Sequence, residues 1–195
     1  MNKSYTLIEV LVAVSIFTMI IAAPTGFLVG SLKGQQKALA SQKLLDNTSY
    51  NLEYISRALR MAKKELNCSD ITNPATCSCL KTQGYGYNYE NPDGDVSVIR
   101  FINYKEECQE FFLEGDRLKE SKDGSKDRIE NYLTSEDLEI TSLKFKLSGQ
   151  SQTDTDQPRV TLFLEIKGGK GQMPELRPLI KIQTTISQRN LDVPY

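Results

Sequence analysis

Glu9 stands near the start of the apolar run SYTLIEVLVAVSIFTMIIAAP, where a carboxylate is out of place. A charged group in hydrocarbon costs on the order of a few kcal/mol unless a partner relieves it. The chemistry open to Glu9 is therefore charge pairing with a cationic group brought to the same depth. Four cysteines, Cys68, Cys77, Cys79 and Cys108, form the other reactive set, spaced C-x8-C-x-C-x28-C. They can close two disulfides or, as thiolates, ligate zinc, but the spacing lacks the paired C-x2-C knuckles of familiar zinc folds. A ring between Cys77 and Cys79 would be very tight. That leaves two arrangements, in which Cys68 joins one of this pair and Cys108 the other. Disulfides are the expected state for a domain held outside the cytoplasm.

The remaining residue types argue against catalysis, and no enzymatic activity is expected. The chain contains no histidine, which removes the commonest general base and metal ligand. The acid pairs Glu106 and Glu107, Asp93 and Asp95, and Asp154 and Asp156 lie in polar, turn-like stretches, and none is framed by apolar residues that would raise a carboxyl pKa. Gly168-Gly169-Lys170-Gly171 leads to Pro174 and a strand pattern, not to the helix a phosphate loop requires. Asn91, Asp93 and Asp95 offer oxygens to calcium, but the spacing stops short of an EF-hand loop and reads as a turn. Tyr85, Tyr87 and Tyr89 could stack on single-stranded DNA, yet no basic patch surrounds them. With 24 basic against 25 acidic residues, the net charge of -1 supplies no field for a polyanion. No cofactor, metal or nucleic-acid partner is expected.

These residues hang on a simple order of elements. Residues 10–32 carry no charge, and as a helix they reach roughly 35 Å, enough to cross a hydrocarbon core of about 30 Å. This stretch is too long for a cleavable secretory signal. Pro24 removes one helical hydrogen bond, with Gly26, Gly30 and Gly34 nearby, so a kink is expected there. Gly26 and Gly30 also form a small-xxx-small pair suited to helix packing. Beyond Gly34, Leu45, Leu52, Ile55, Leu59, Ala62 and Leu66 mark one face of an amphipathic helix. Turn residues dominate 67–94. Strand patterns follow at 96–103, in a hairpin through Glu114-Gly115-Asp116, and at 140–147, 159–167 and 179–186. The apolar faces of these strands need a cover that only the amphipathic helix supplies, so the fold class is α+β, an antiparallel sheet packed on a long amino-terminal helix.

Ser4-Tyr5-Thr6-Leu7-Ile8-Glu9-Val10-Leu11 resembles the amino-terminal processing motif of type IV prepilins and type II secretion pseudopilins. The resemblance implies the pilin fold, cleavage between Ser4 and Tyr5 by a prepilin peptidase, and N-methylation of Tyr5. Glu9 becomes the fifth mature residue, the assembly residue that pairs with an amino terminus, its own or a neighbour's. Ser4 replaces the family's usual glycine and Tyr5 its commonest phenylalanine, and both differences bear on how efficiently the site is cut. The stretch 183–191 resembles the last strand of bacterial minor prepilins, and the length and large loop resemble J-type or PilW-like subunits.

The expected organisation is a cytoplasmic leader at 1–4, a membrane-spanning and filament-core helix at 5–32, its amphipathic continuation at 33–66 and an extracytoplasmic β-rich domain at 67–195. The implied partners are other pilin or pseudopilin subunits, the prepilin peptidase, an inner-membrane assembly platform and, before assembly, membrane lipid. The implied location is the inner membrane as a single pass with the domain outside, then a surface or periplasmic filament. Two rival readings stay open: an anchored extracytoplasmic binding domain that never polymerises, and a DNA-uptake pilin.

Overall fold

A single helix, α1 (Leu7–Arg60), occupies the first third of the computed structural model, which describes residues 6–123, 128–150 and 156–189. Ser4, Tyr5 and Asp154 lie outside the described residues, as do Asn190 and Leu191 of the closing motif. At 1.5 Å per residue α1 is about 80 Å long. It starts at Thr6, an extended N-cap, and ends with Arg57 and Arg60 in its last turn, where cations complement the helix dipole. The helical run continues unbroken through Pro24.

Its two halves behave differently. Every described side chain in 7–39 is exposed, whereas Leu44, Thr48, Asn51, Ile55 and Leu59 are buried at spacings of four, three, four and four. The buried stripe therefore runs through Leu44, which is fully buried, and not through Leu45, which is 52% exposed. Two of its members are polar, which hides the phase from a hydropathy pattern; Thr48 satisfies its hydroxyl on the Leu44 carbonyl at 2.6 Å. The helix also stops six residues short of Leu66. Past Arg60 the backbone leaves the helical ladder, the Lys63 N–H donating to the Ile102 carbonyl at 2.9 Å and the Glu65 N–H to that of Tyr87 at 2.8 Å. Ala62 stays buried, and Leu66 is exposed.

The strands form two antiparallel sheets, not one. The first is a meander of β1 (Tyr89–Glu90), β2 (Ile99–Ile102), β3 (Cys108–Glu114), β4 (Arg117–Asp123) and β5 (Arg128–Tyr132) in chain order. Gly115 at φ 64° makes the β3–β4 turn, with Glu114 facing Arg117. The second sheet is β6 (Glu139–Ser148), β7 (Arg159–Lys167) and β8 (Leu179–Ser187). Alternate residues Val160, Leu162, Leu164 and Ile166 of β7 are buried, as the period of two requires. They join Leu44, Ile55 and Leu59 of α1 and Phe101, Phe111 and Phe145 in one core. Each fully buried side chain of this size contributes about 1.5–3 kcal/mol.

Strands β7 and β8 lie along the packed half of α1. Gly168, just past β7, sits against Leu44, and the Arg189 N–H, just past β8, donates to the Arg60 carbonyl at 2.9 Å. The turn joining these strands is thus at the end of the domain nearest the free half of the helix.

Candidate functional site

The site suggested by the sequence is the first turn of α1. Glu9 occupies the third helical position and folds back, its carboxylate accepting from the Thr6 N–H and Oγ1, each at 3.4 Å. This is the reciprocal capping arrangement that a Thr-x-x-Glu spacing allows at a helix start, and an acid there is favoured by the helix dipole. The contacts are long and exposed, so the carboxylate is held only loosely. Glu9 borders a shallow apolar groove with Val10, Ala13, Val14 and Phe17. Leu7, Phe17, Met19, Ile20 and Phe27 are each more than 60% exposed, far beyond what a water-facing helix tolerates.

Three hydroxyls of this half are satisfied within the helix. Ser15 donates to the Leu11 carbonyl at 2.7 Å, Thr18 to Ser15 at 2.9 Å and Thr25 to Ile21 at 2.5 Å. Such self-bonding is what hydrocarbon demands of a polar side chain. A Cβ placed on Gly26, Gly30 or Gly34 would meet open space, so nothing among the described residues requires these positions to be glycine.

The four cysteines pair as Cys68 with Cys77 and Cys79 with Cys108, one of the two arrangements left open by their spacing. Thiols committed to disulfides have no thiolate to give a metal, and among the described residues no other acid, histidine or cysteine cluster could hold one. Beneath the staples lies a residue that sequence reasoning missed. Glu65 is 0% exposed, and its carboxylate accepts from the N–H groups of Asn67, Cys79 and Leu80 at 2.9, 2.8 and 3.1 Å and from Ser78 Oγ at 3.2 Å. A buried charge persists only when hydrogen-bonded in this way. Glu65 extends the buried spacing of 55, 59 and 62 beyond the helix end, a continuation that only the structure reveals.

A second missed cluster joins α1 to the first sheet. Glu120 is buried and accepts from Tyr54 Oη at 2.6 Å, Gln109 Nε2 at 2.5 Å and Lys122 Nζ at 3.0 Å. Burial, reinforced by the Glu120 bond, pushes the Tyr54 phenol above its ordinary range. The Tyr54 hydroxyl, donating to Glu120 and accepting from Lys122 at 2.8 Å, is what ties helix to sheet here.

The other candidates resolve into structure. Asp95 accepts from the Ser97 N–H and Oγ, at 2.8 and 2.7 Å, and these bonds, the hydroxyl's first, hold its carboxyl below the usual range. Asn91 donates to the Val98 carbonyl at 2.7 Å, and Asp93 takes a positive φ of 53°, so the segment is a turn. Glu106 pairs with Lys63 at 2.9 Å, while Glu107 accepts from Asn103 at 3.0 Å. Tyr89 is buried with its hydroxyl on the Leu59 carbonyl, so the three tyrosines form no stacking platform. Gly168 to Gly171 lie in the β7–β8 turn.

What is left is a loosely held acid on an exposed apolar helix, and here the comparison with known proteins decides. Residues 1–23 match the family described as the prokaryotic N-terminal methylation motif. The amino terminus is type IV prepilin-like. The match spans Ser4, Tyr5 and Glu9, fits processing by prepilin peptidase and, with the apolar helix, fits membrane anchoring. No curated protein and no solved structure matches the chain. The prepilin-like motif thus covers the start of α1, and the domain of two sheets is known from its own geometry.

Proposed function

We propose that this prepilin-like chain is a minor pilin or pseudopilin subunit without enzymatic activity. It is inserted in the inner membrane with its domain outside, cut between Ser4 and Tyr5, methylated at Tyr5 and drawn into a filament by α1. The observation that carries the reading is Glu9, an acid on an otherwise apolar exposed helix that is held only by long, exposed bonds to Thr6. Cutting before Tyr5 places a new amine one helical turn from Glu9. In hydrocarbon the acid then gains by docking beside the amine of a neighbour, which favours one axial stagger over others. The open faces at Gly26 and Gly30 suit close helix approach, and Pro24 lets the helix bend while it packs.

The test is the intact mass and amino-terminal sequence of the chain expressed with and without its host's prepilin peptidase. A chain that begins at methylated Tyr5 only when the peptidase is present supports the reading. Retention of Met1 to Ser4 in both samples makes the chain an anchored domain that does not polymerise.

A further inference from the structure

The β7–β8 turn, 168–178, is a rigid projection at the end of the domain nearest the exposed half of α1. The Gly168 N–H donates to the Pro178 carbonyl at 2.9 Å, Gln172 to Gly169 at 2.9 Å and Leu176 to Met173 at 2.9 Å. Arg177 braces both arms, donating to the Gly168 carbonyl at 3.2 Å and pairing with Glu139. The Lys170 side chain is tied to Asp116, and its N–H reaches the Asp137 carbonyl at 2.8 Å. All this bracing leaves Met173 at the tip, 64% exposed.

The helix beneath is marked for a particular neighbour. Gly169, Lys170 and Gln172 share a small cleft with Ala40, Lys43 and Leu44 of α1, beside the close approach of Gly168 to Leu44. Lys33, Lys37, Ala40 and Leu44 recur at spacings of four, three and four, so the two lysines share the helix face that carries the turn. Both are exposed, and neither has an ion-pair partner among the described residues, whereas Lys43 is paired with Asp137. Lys33 ends the charge-free run, so it marks where the helix leaves hydrocarbon. Ala40 is then about 10 Å higher along the helix, and a headgroup layer is about 5–8 Å deep. The turn therefore overhangs the phosphates at the reach of one side chain. Its own acid, Glu175, opposes an anionic surface, and the two lysines outweigh it.

We propose that the turn 168–178 seats on anionic lipid headgroups, with Met173 as the apolar contact and Lys33 and Lys37 pairing with lipid phosphate. The seat sets the domain upright on the bilayer before assembly and must be released when the helix is extracted. This rests on the reading that α1 spans a membrane.

The chain has no tryptophan, so Met173→Trp gives a single reporter at an exposed site. The full chain would be placed in nanodiscs of phosphatidylcholine, with or without phosphatidylglycerol, carrying bromine near the top of the acyl chains, with Phe17→Trp as a reporter for the span. The expected result is a blue-shifted, bromine-quenched Met173→Trp emission that strengthens with phosphatidylglycerol. Adding Lys33→Gln and Lys37→Gln should weaken the contact about fivefold per lysine. Quenching of Phe17→Trp alone, in both compositions, overturns the seat and leaves the span standing. Quenching of neither reporter overturns the span and the seat together. A Met173→Trp blue shift that grows with protein concentration and ignores bromine assigns the turn to a second copy and also overturns the proposal.

Discussion

Gly168 lies so close to Leu44 that a Cβ on the glycine would stand 3.3 Å from the leucine Cβ and 3.3 Å from Pro178 Cγ. The residue after β7 is thus pressed between the first buried leucine of α1 and the far arm of its own turn. This approach sets how the second sheet lies against the helix.

Gly168→Val is expected to destabilise the domain by about 1–3 kcal/mol, the range for overpacking a close-packed contact. Gly168→Ala, which needs neighbours to shift by only tenths of an ångström, should cost clearly less. Thermal unfolding followed by circular dichroism separates the two. Equal melting temperatures for both variants and the parent would mean that helix and turn separate at no cost.

The two disulfides should contribute unequally. The Cys79–Cys108 bridge closes a loop of 29 residues and the Cys68–Cys77 bridge one of 9. Loop-closure entropy assigns them about 3.6 and about 2.6 kcal/mol respectively. Replacing Cys79 and Cys108 together with alanine should therefore lower the urea midpoint further than replacing Cys68 and Cys77. The reverse order would show that local packing of the short loop outweighs chain entropy.

Much of this architecture was legible because single rules acted alone. A run free of charge and strict alternation in 159–167 are signals that nothing else produces, and α1 and β7 follow them. Strand β5 gave no such signal: all five residues of Arg128–Tyr132 are exposed, so there is no buried face to alternate. The helix phase slipped from Leu44 to Leu45 because Thr48 and Asn51 fill buried positions with polar side chains. Cysteine spacing reduced the pairings to two, and the approach of Cys68 to Cys77 across a bridged pair of backbones selects between them. Glu9 was legible by its incongruity in the apolar run. Glu65, a charge amid polar neighbours, was incongruous only once its burial was known.

Glu65→Ala should be among the most damaging changes outside the apolar core. It strips the acceptor from the buried N–H groups of Cys79 and Leu80, each costing about 1–3 kcal/mol when left unpaired. Glu65→Gln keeps the shape but turns an amide NH2 toward donors, so it should fall between alanine and the parent in denaturant titrations. A parent-like Glu65→Gln would show that one oxygen suffices to hold the loop.

Stability should fall in acid through the braces of the β7–β8 turn. The hydrogen bond from Lys170 holds the Asp116 carboxyl below its ordinary range, and the bond from Arg177 does the same for Glu139. A depressed carboxyl binds fewer protons in the folded chain than in the unfolded one. Its contribution is therefore complete above the unfolded value, about 4, and is lost as pH falls through the lower folded value. Melting temperatures should be level from pH 7 to about 5 and decline below about 4. Asp116→Asn should lose stability at neutral pH and show a shallower decline; an unchanged slope would place the acid sensitivity elsewhere.

The final prediction separates folding from assembly at Glu9. Its bonds to Thr6 are long and exposed, so Glu9→Ala should change domain stability by less than about 0.5 kcal/mol. Under the proposed function the same variant should still be cut before Tyr5 yet stay in the membrane fraction, absent from sheared filaments. Glu9→Gln, uncharged but of the same shape, should fail similarly if pairing with a neighbour's amine is what assembles the subunit, and should succeed if shape alone guides packing. Filaments that incorporate Glu9→Ala as well as the parent would remove the acid from assembly. The first turn of α1 would then be only a capped helix start in a membrane anchor.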